Sequence, residues 1–434
     1  MGSVRILVLG SGAREHAIIR ALLAEDARHD ITAAPGNAGI GADVRTLDID
    51  PNDGVLVASY AEAHNVDLVV VGPEAPLVAG VSDALRERGI AVFGPSKAAA
   101  QLEGSKAFAK RIMEAAGVPT GRAEVVGTLA EAEATLDRFG APYVVKANGL
   151  AAGKGVLVTS DRAAALAHAT QWLEHGTVLV EEFLAGQEVS LFVLSDGEHV
   201  LPLAPAQDYK RLLDADEGPN TGGMGAYSPL PWLDENFVDE VLETVALPTV
   251  RTMAAEGTPF VGLLYCGLIV TDAGVRVIEF NARFGDPETQ VVLPRLLTPL
   301  SGLLYGAATG ELGGVPRPEF ALDVAVGVVL ASEGYPVAPV TGRALLGLDT
   351  ASADPEVQIL HAATDLQALS ADATSSWATE SPVATGGRVL TVVALGSTFD
   401  EARERAYRAI GSIHLEGGQY RTDIAARVAA SAAD

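Results

Sequence analysis

The chain has 434 residues, enough for two to four domains with well-buried cores. A formal charge of −26 excludes a nucleic-acid or anionic-membrane partner, since both need a positive footprint, and an anionic small substrate would need cations gathered locally. The single cysteine, Cys266, lies in the apolar run Val261–Val270; it excludes an intrachain disulfide framework and a multi-thiolate metal site, and reads as a buried inert thiol.

Val4–Leu9 predicts a buried strand, too short for a membrane span or signal peptide, so a cytoplasmic protein is expected. The loop G-S-G-A-R-E-H follows at Gly10–His16, then a helix to about Ala24. Ile31–Ala34 is a second strand ending in P-G-N-A-G, Asp67–Val71 a third ending in G-P-E-A-P, and Ile90–Phe93 a fourth ending in G-P-S. Strand, loop and helix in rotation predict a doubly wound parallel sheet, whose ligands lie at the carboxyl ends of the strands, where these glycine loops fall. A break at Leu102–Ser105 precedes a helix at Lys106–Ala116, closed by Gly117-Val118-Pro119. Strands at Tyr143–Lys146 and Val156–Thr159 flank the loop N-G-L-A-A-G-K-G at Asn148–Gly155. Thr177–Phe183 is a strand running into L-A-G-Q-E, and Val189–Leu194 and Val200–Pro205 are antiparallel partners turned at Asp196-Gly197. Ala206–Pro229 has no periodic pattern and predicts a long functional or mobile loop. A last α/β unit begins at Val324–Leu330, contains Thr385–Gly396 and a helix at Thr398–Ser412, and frays over Ala425–Asp434.

The densest polar motif is V-I-E-F-N-A-R-F-G-D-P-E-T-Q at Val277–Gln290. Its strand places Glu279 and Asn281 on one face, because successive side chains alternate. The pair alone reads as the polar side of an edge strand, or as oxygen ligands for a hard divalent cation that keeps nucleotide phosphates as co-ligands. The first loop fails as a dinucleotide fingerprint: Glu15 stands where a small residue is needed, and Ala33-Ala34-Pro35-Gly36 supplies no ribose-binding acid. Its N–H groups suit a phosphate or a plain tight turn. Glu74 is placed to accept from a hydroxyl or amine. Gly149–Gly155 carries Lys154 and can close over phosphates, yet lacks the G-K-[ST] ending of a P-loop. Lys146, among apolar neighbours, needs an anionic partner, whereas Lys106 alone reads as a surface lysine. V-E-E-F-L-A-G-Q-E at Val180–Glu188 suits a hinge whose backbone meets an adenine. Asp208, Lys210 and Arg211 bring mixed charge to the long loop, and G-P-N-T-G-G-M-G-A-Y-S-P at Gly218–Pro229 is too specific for filler.

The succession of phosphate-type loop, Lys106, Lys146, glycine-rich lysine loop, E-E-F-L hinge and Glu279-Phe280-Asn281 resembles the ATP-grasp ligases. Within them the chain is similar to the glycinamide ribonucleotide synthetase (phosphoribosylamine–glycine ligase) family. The blocks G-S-G-A-R-E-H, A-P-G-N-A-G, G-P-E-A-P-L-V-A-G, L-E-G-S-K-A-F, V-K-A-N-G-L-A-A-G-K-G-V, P-N-T-G-G-M-G-A-Y-S-P, N-A-R-F-G-D-P-E-T-Q and T-G-G-R-V-L span it nearly end to end. Departures are Ser11 and Ala13 in the first loop, Tyr209 for a usual histidine in Q-D-Y-K-R, and Thr422 for an arginine in Y-R-T-D. The resemblance implies a multidomain α/β and α+β fold: an N-terminal doubly wound parallel sheet over 1–104, an ATP-grasp core over 105–322 with a mobile lid near 120–190, and a small C-terminal α/β domain over 323–434.

It also implies a reaction and roles. Glycine, 5-phosphoribosylamine and ATP would give glycinamide ribonucleotide, ADP and phosphate through an acyl phosphate, with Mg²⁺ (or Mn²⁺) as the metal. Glu279 and Asn281 would hold that metal. Lys106 and Lys146 would bind inner phosphates, with Gly153 and Gly155 closing above. Glu181, Glu182, Phe183 and Leu184 would line the adenine hinge, and Glu188 would hold the ribose. Gly10, Gly12, Glu15, Asn37, Glu74 and Asp286 would form the phosphoribosylamine end. Arg283, Asp208 and Lys154 are the expected catalytic groups, Arg283 facing a phosphate or the acyl phosphate and Asp208 meeting the glycine amine. A monomer or weak homodimer is implied, acting on small molecules alone. A nicotinamide oxidoreductase and a non-catalytic nucleotide sensor are the rival classes.

Overall fold

The computed structural model describes residues 2–150, 155–368 and 380–431. Five parallel strands open the chain, in the spatial order Arg45–Thr46, Asp30–Pro35, Arg5–Gly10, Leu68–Val71, Ala91–Phe93. Ile6–Leu9 and Leu68–Val71 are buried throughout, as expected of parallel strands with both faces covered by helices. The strand order reverses direction between Arg5–Gly10 and Leu68–Val71, so the loops after these two strands share one crevice. Both loops carry the motifs singled out above.

Two sheets build the middle of the chain. The smaller has the order Ala123–Val126, Val178–Glu181, Tyr143–Ala147, Val156–Thr159, backed by helices Leu129–Phe139 and Arg162–Leu173 with an apolar core of its own. The larger is antiparallel, in the order Val200–Pro202, Gln187–Asp196, Val261–Thr271, Gly274–Asn281. Gly274–Asn281 is thus an edge strand of its sheet, but Pro119–Thr120 covers that edge: Val277 N–H donates to Pro119 O at 2.8 Å and Thr120 Oγ1 to Val277 O at 2.6 Å. The strand carries a β-bulge, with Val277 opposite Leu268 and Glu279 opposite Gly267, so Ile278 is the extra residue.

The C-terminal part of the fold corrects two expectations. Its order is Gln207–Asp208, Gly225–Ser228, Val324–Ala331, Arg388–Gly396, Val357–His361, every neighbouring pair antiparallel. Ala206–Pro229 is therefore no patternless loop. It contains Gln207–Asp208, Arg211–Leu213, Glu217–Asn220 and Gly225–Ser228, and two of these strands complete a sheet that belongs to the far end of the chain. Strands of two to four residues are too short to show a period, which is why pattern reading missed them. The expected fraying over Ala425–Asp434 also fails for its described part: Ala426–Ser431 is a helix that buries Val428 and Ala429. The two departures Tyr209 and Thr422 lie in one neighbourhood. The Arg421 guanidinium sits 4.8 Å from the Tyr209 ring centroid, and Thr422 N–H donates to Asp214 at 2.8 Å.

Candidate active site

Charge gathers around Gly274–Asn281. Glu279 shares its face with Asn281 and lies among Lys106, Lys146 and Lys210. Burial pushes the Glu279 carboxyl up, but Lys210, Lys146 and Lys106, with Asn281 beside it, outweigh this and hold it below the usual carboxylate value. Lys146, nearly fully buried on the smaller sheet, pairs with Glu181 at 2.7 Å and donates to Ile278 O at 3.3 Å, taking up the carbonyl of the bulged residue. Lys106 opens the helix Lys106–Ala116 and donates to Gly149 O at 3.0 Å. Burial lowers its pKa, with Glu279 opposing and Lys146 adding to the effect. The lysine read alone as a surface residue therefore faces the cleft.

Asp208 enters this cluster from Gln207–Asp208, the short strand beside Gly225–Ser228, and Lys210 from the link that follows it. Lys210 pairs with Glu188, and its charged form is strongly favoured: burial works against it, but Glu188 and Asp208 outweigh burial. Asp208 is pushed up to about 7 by burial, with Glu288 and Glu188 adding and Lys210 opposing. Glu288 is held from the other side, its Oε1 accepting from Tyr265 Oη at 2.7 Å and Ser190 Oγ at 2.9 Å. In the hinge, the expected strand Thr177–Phe183 ends at Glu181, so Glu182, Phe183 and Leu184 run as irregular backbone. Glu181 turns inward to Lys146, and to Lys110 at 3.6 Å, while Glu182 accepts from Arg122 N–H at 3.2 Å and Phe183 is exposed.

A second cluster forms where the strand exits towards the N-terminal crevice. Arg283 lies between Glu74, 3.3 Å from its Nε, and Glu103, 3.1 Å from its Nη2, and donates from Nη1 to Phe284 O at 3.1 Å. Phe284 O also accepts from Arg14 at 3.1 Å. Burial raises the Glu74 pKa, but Arg283 and Arg14 outweigh it and hold the carboxyl low. Glu15 folds back into the first loop, accepting from Gly12 N–H at 2.6 Å and pairing with Arg14 at 2.5 Å. A side chain at Gly10, where φ is +128°, would meet Glu15 at 2.7 Å, so that carboxylate needs a glycine beside it. One of the loop's N–H groups is thus already satisfied. Asp286 pairs with Arg388 of the C-terminal sheet at 3.0 Å and accepts from Gln290 at 2.7 Å. Asn37 caps the helix Ala38–Asp43 and spends its amide donors on Ser11 O and His361 O, both at 2.8 Å. Its side chain joins the first loop to the C-terminal sheet.

The fold therefore brings Lys106, Lys146, Glu181, Glu188, Asp208, Glu279 and Asn281 into one cluster, and Gly10, Gly12, Glu15, Glu74, Arg283 and Asp286 into another. Glu288 influences both Asp208 and Arg283 and so links the two. Gly155 is buried and its carbonyl accepts from Ala147 N–H at 2.7 Å, whereas Gly153 and Lys154 lie outside the described residues. Such an array can hold a polyphosphate and a hard cation at one end and a polar anionic molecule at the other.

Comparison with known proteins decides the family. The phosphoribosylglycinamide synthetase N domain matches residues 4–103, its ATP-grasp (A) domain 104–289 and its C domain 325–427. The phosphoribosylamine–glycine ligase of Leifsonia xyli is 69% identical over 98% of this chain and all of its own length. The chain belongs to the phosphoribosylamine–glycine ligase family. The Streptomyces coelicolor member is 56% identical, again over 98% of this chain and its own full length. The crystal structure of the Thermotoga maritima member superposes with a TM-score of 0.81 at 33% identity, covering 97% of this chain and all of that one. A biotin carboxylase domain from Hydrogenobacter thermophilus shares the fold, with a TM-score of 0.70 at 16% identity over 97% of this chain and 92% of that one.

Five side chains in these clusters escaped the sequence reading as site residues: Lys110, Lys210, Glu103, Glu288 and Arg388. Four of them stand inside motifs that were already conspicuous, Glu103 in L-E-G-S-K-A-F, Lys210 in Q-D-Y-K-R, Glu288 in G-D-P-E-T-Q and Arg388 in T-G-G-R-V-L. Their signal was present. What was missing was the tertiary neighbour that makes each charge necessary.

Proposed function

We propose that the chain joins glycine to 5-phosphoribosylamine at the expense of ATP, giving glycinamide ribonucleotide, ADP and phosphate, an early step of purine synthesis in the cytoplasm. The observation that carries this reading is the Glu279–Asn281 face set among lysines at the end of a strand whose exit delivers Arg283. A carboxylate is a poor acyl donor because its oxygen is a poor leaving group. A glycine carboxylate oxygen therefore attacks the γ-phosphorus, and the bond to ADP breaks as that bond forms. The amine nitrogen of phosphoribosylamine then attacks the acyl carbon, phosphate leaves with the former carboxylate oxygen, and the nitrogen sheds a proton.

The protein's work in both steps is positioning and charge stabilisation. Lys106 and Lys146 face the phosphates, and Glu188 and the irregular backbone after Glu181 take the nucleoside. Asp208 meets the glycine ammonium, and Arg283 stabilises the acyl phosphate. Gly10, Gly12, Glu74 and Asp286 surround the phosphoribosylamine, while Glu15 and Asn37 support that loop by the bonds described above. Gly153, Lys154 and Gly155 close over the reacting groups and exclude water, which would otherwise hydrolyse the acyl phosphate. Glu279 and Asn281 offer hard oxygen donors that fit Mg²⁺ or Mn²⁺, and among the described residues no cluster of three or more His, Cys, Asp or Glu could hold such an ion alone. When bound, the metal would neutralise charge on the β- and γ-phosphates. No helix among the described residues is long and apolar enough to cross a membrane. The working form in this reading is a monomer or weak homodimer.

Phosphate release should require ATP, glycine and the amine together, and oxygen label placed in the glycine carboxylate should appear in the released phosphate. Label retained wholly in the product would exclude the acyl phosphate; release independent of glycine would exclude the ligase.

A further inference from the structure

Arg283 is the cation nearest the exit of the metal-facing strand, and its position is set by a residue that the reaction does not touch. Glu103 lies on the four-residue helix Gln101–Gly104, just ahead of the helix that begins with Lys106. Its side chain is almost wholly buried. One oxygen, Oε2, accepts from Ala282 N–H at 2.7 Å, and the other, Oε1, pairs with Arg283 Nη2 at 3.1 Å. A single carboxylate thus grips both the backbone next to Asn281 and the side chain beyond it.

The contact with Glu103 is an ion pair, as is that with Glu74, 3.3 Å from Nε, where no hydrogen bond is aligned; the side chain's hydrogen bond runs from Nη1 to Phe284 O at 3.1 Å. Glu74 belongs to the N-terminal crevice, and Glu103 to the segment leading into the ATP-grasp core. The guanidinium is therefore shared by two carboxylates on different parts of the molecule. Without Glu103, Coulomb attraction would leave it to Glu74 and draw it towards the phosphoribosylamine end.

We propose that Glu103 is a positioning residue that fixes the Arg283 guanidinium, and with it the backbone leaving Asn281, in the place where the acyl phosphate forms. This rests on the reaction proposed above. The consequence is that Lys106 and Arg283, which would act on opposite ends of the transferred phosphoryl group, are registered through one turn of chain, Glu103 to Lys106. Burial raises the Glu103 pKa, with Arg283 opposing and Glu74 adding.

The test is a double-mutant cycle on the full-length protein, using Glu103→Gln and Arg283→Lys. The glutamine oxygen can still accept from Ala282 N–H, while its amide NH2 replaces the oxygen facing Arg283, so this variant removes the negative charge and the acceptor there and keeps the backbone contact. We expect Glu103→Gln to lower kcat about ten- to a hundredfold, the range for taking the charged partner from a buried guanidinium, with the KM for ATP changed less than about threefold. In the Arg283→Lys background the same change should cost less than about threefold, because the partner it positions is already altered. An equal loss in both backgrounds, or an unchanged kcat in Glu103→Gln, would overturn the assignment. If Glu103→Gln does not accumulate folded, Glu103→Asp enters the same cycle with the same outcomes. Absence of glycine-dependent turnover in the unaltered protein would overturn the proposed reaction and this inference together. Turnover with additive losses overturns this inference alone.

Discussion

Asp208 is a carboxylate placed among its own kind. Burial, Glu288 and Glu188 raise its pKa to about 7 against the opposing pull of Lys210. In the unfolded chain it would ionise near its ordinary value of 3.8. Between those two values the folded chain binds the extra proton, so stability conferred by this group falls as pH rises from about 4 to about 7. Asp208→Asn removes that penalty. The variant should match the parent in thermal midpoint near pH 4 and exceed it increasingly up to pH 8, measured by thermal unfolding without substrates; a difference independent of pH would refute the placement. A strained acid at this point has a use: the glycine ammonium would complete its charge balance, so binding energy and ionisation work together.

The short strand Gly225–Ser228 shows how an element can matter out of proportion to its length. It lies between Gln207–Asp208 and Val324–Ala331, and so sets the backbone that carries Asp208 and Lys210 against the C-terminal sheet. A side-chain carbon at Gly225 would come within 2.6 Å of Gly327 O and 2.8 Å of Ile424. Gly225→Ala should therefore destabilise the protein by about 1–3 kcal/mol, the usual cost of overpacking a rigid site, read as a lower denaturant midpoint. An unchanged midpoint would mean that the strand is docked loosely. Longer strands were legible beforehand. Tyr143–Ala147 and Val324–Ala331 are apolar runs of strand length between punctuating residues, and Lys106–Ala116 begins at Ser105 as cap and stops at a left-handed Gly117. Gly225–Ser228 has no such signature: it is four residues long, one partner is the two-residue strand Gln207–Asp208, and the other, Val324–Ala331, lies about a hundred residues away.

Across the whole molecule, the first and last parts of the chain meet at a pair of histidines. His361 N–H donates to His16 Nδ1 at 2.9 Å, and His16 Nε2 meets Asp43 at 3.0 Å. The His361 ring is buried, and burial together with His16 pushes its pKa down to about 4 from 6.5, Asp43 opposing. The folded chain then binds fewer protons than the unfolded one between about 4 and 6.5. Stability from this contact is present above pH 6.5 and is lost as pH falls towards 4. His361→Gln should flatten this acid limb, so that its thermal midpoint drops less than the parent's between pH 7 and 4.5. An identical drop would exclude the histidine as its source. Because Asn37 bridges Ser11 O to His361 O, the same acid step would loosen the first glycine loop.

What the sequence by itself determined was local and periodic: the alternation of apolar runs and glycine loops, the helix caps, and the ordered blocks from Gly10 to Gly396 that mark the family. These are short-range properties, written in neighbouring residues. The tertiary structure alone decided which charges meet. Lys110 is an ordinary surface residue in one dimension, and Glu103 and Arg388 stand in motifs that do not name their partners; the three become necessary only when Glu181, Arg283 and Asp286 are folded against them. Sequence pattern records which face of an element is apolar, but a buried ion pair depends on two faces brought together from distant parts of the chain. Glu279 and Asn281 stood between these cases: their shared face was legible from alternation and Lys106 and Lys146 from the succession of motifs, whereas Lys210 joined them only in the fold.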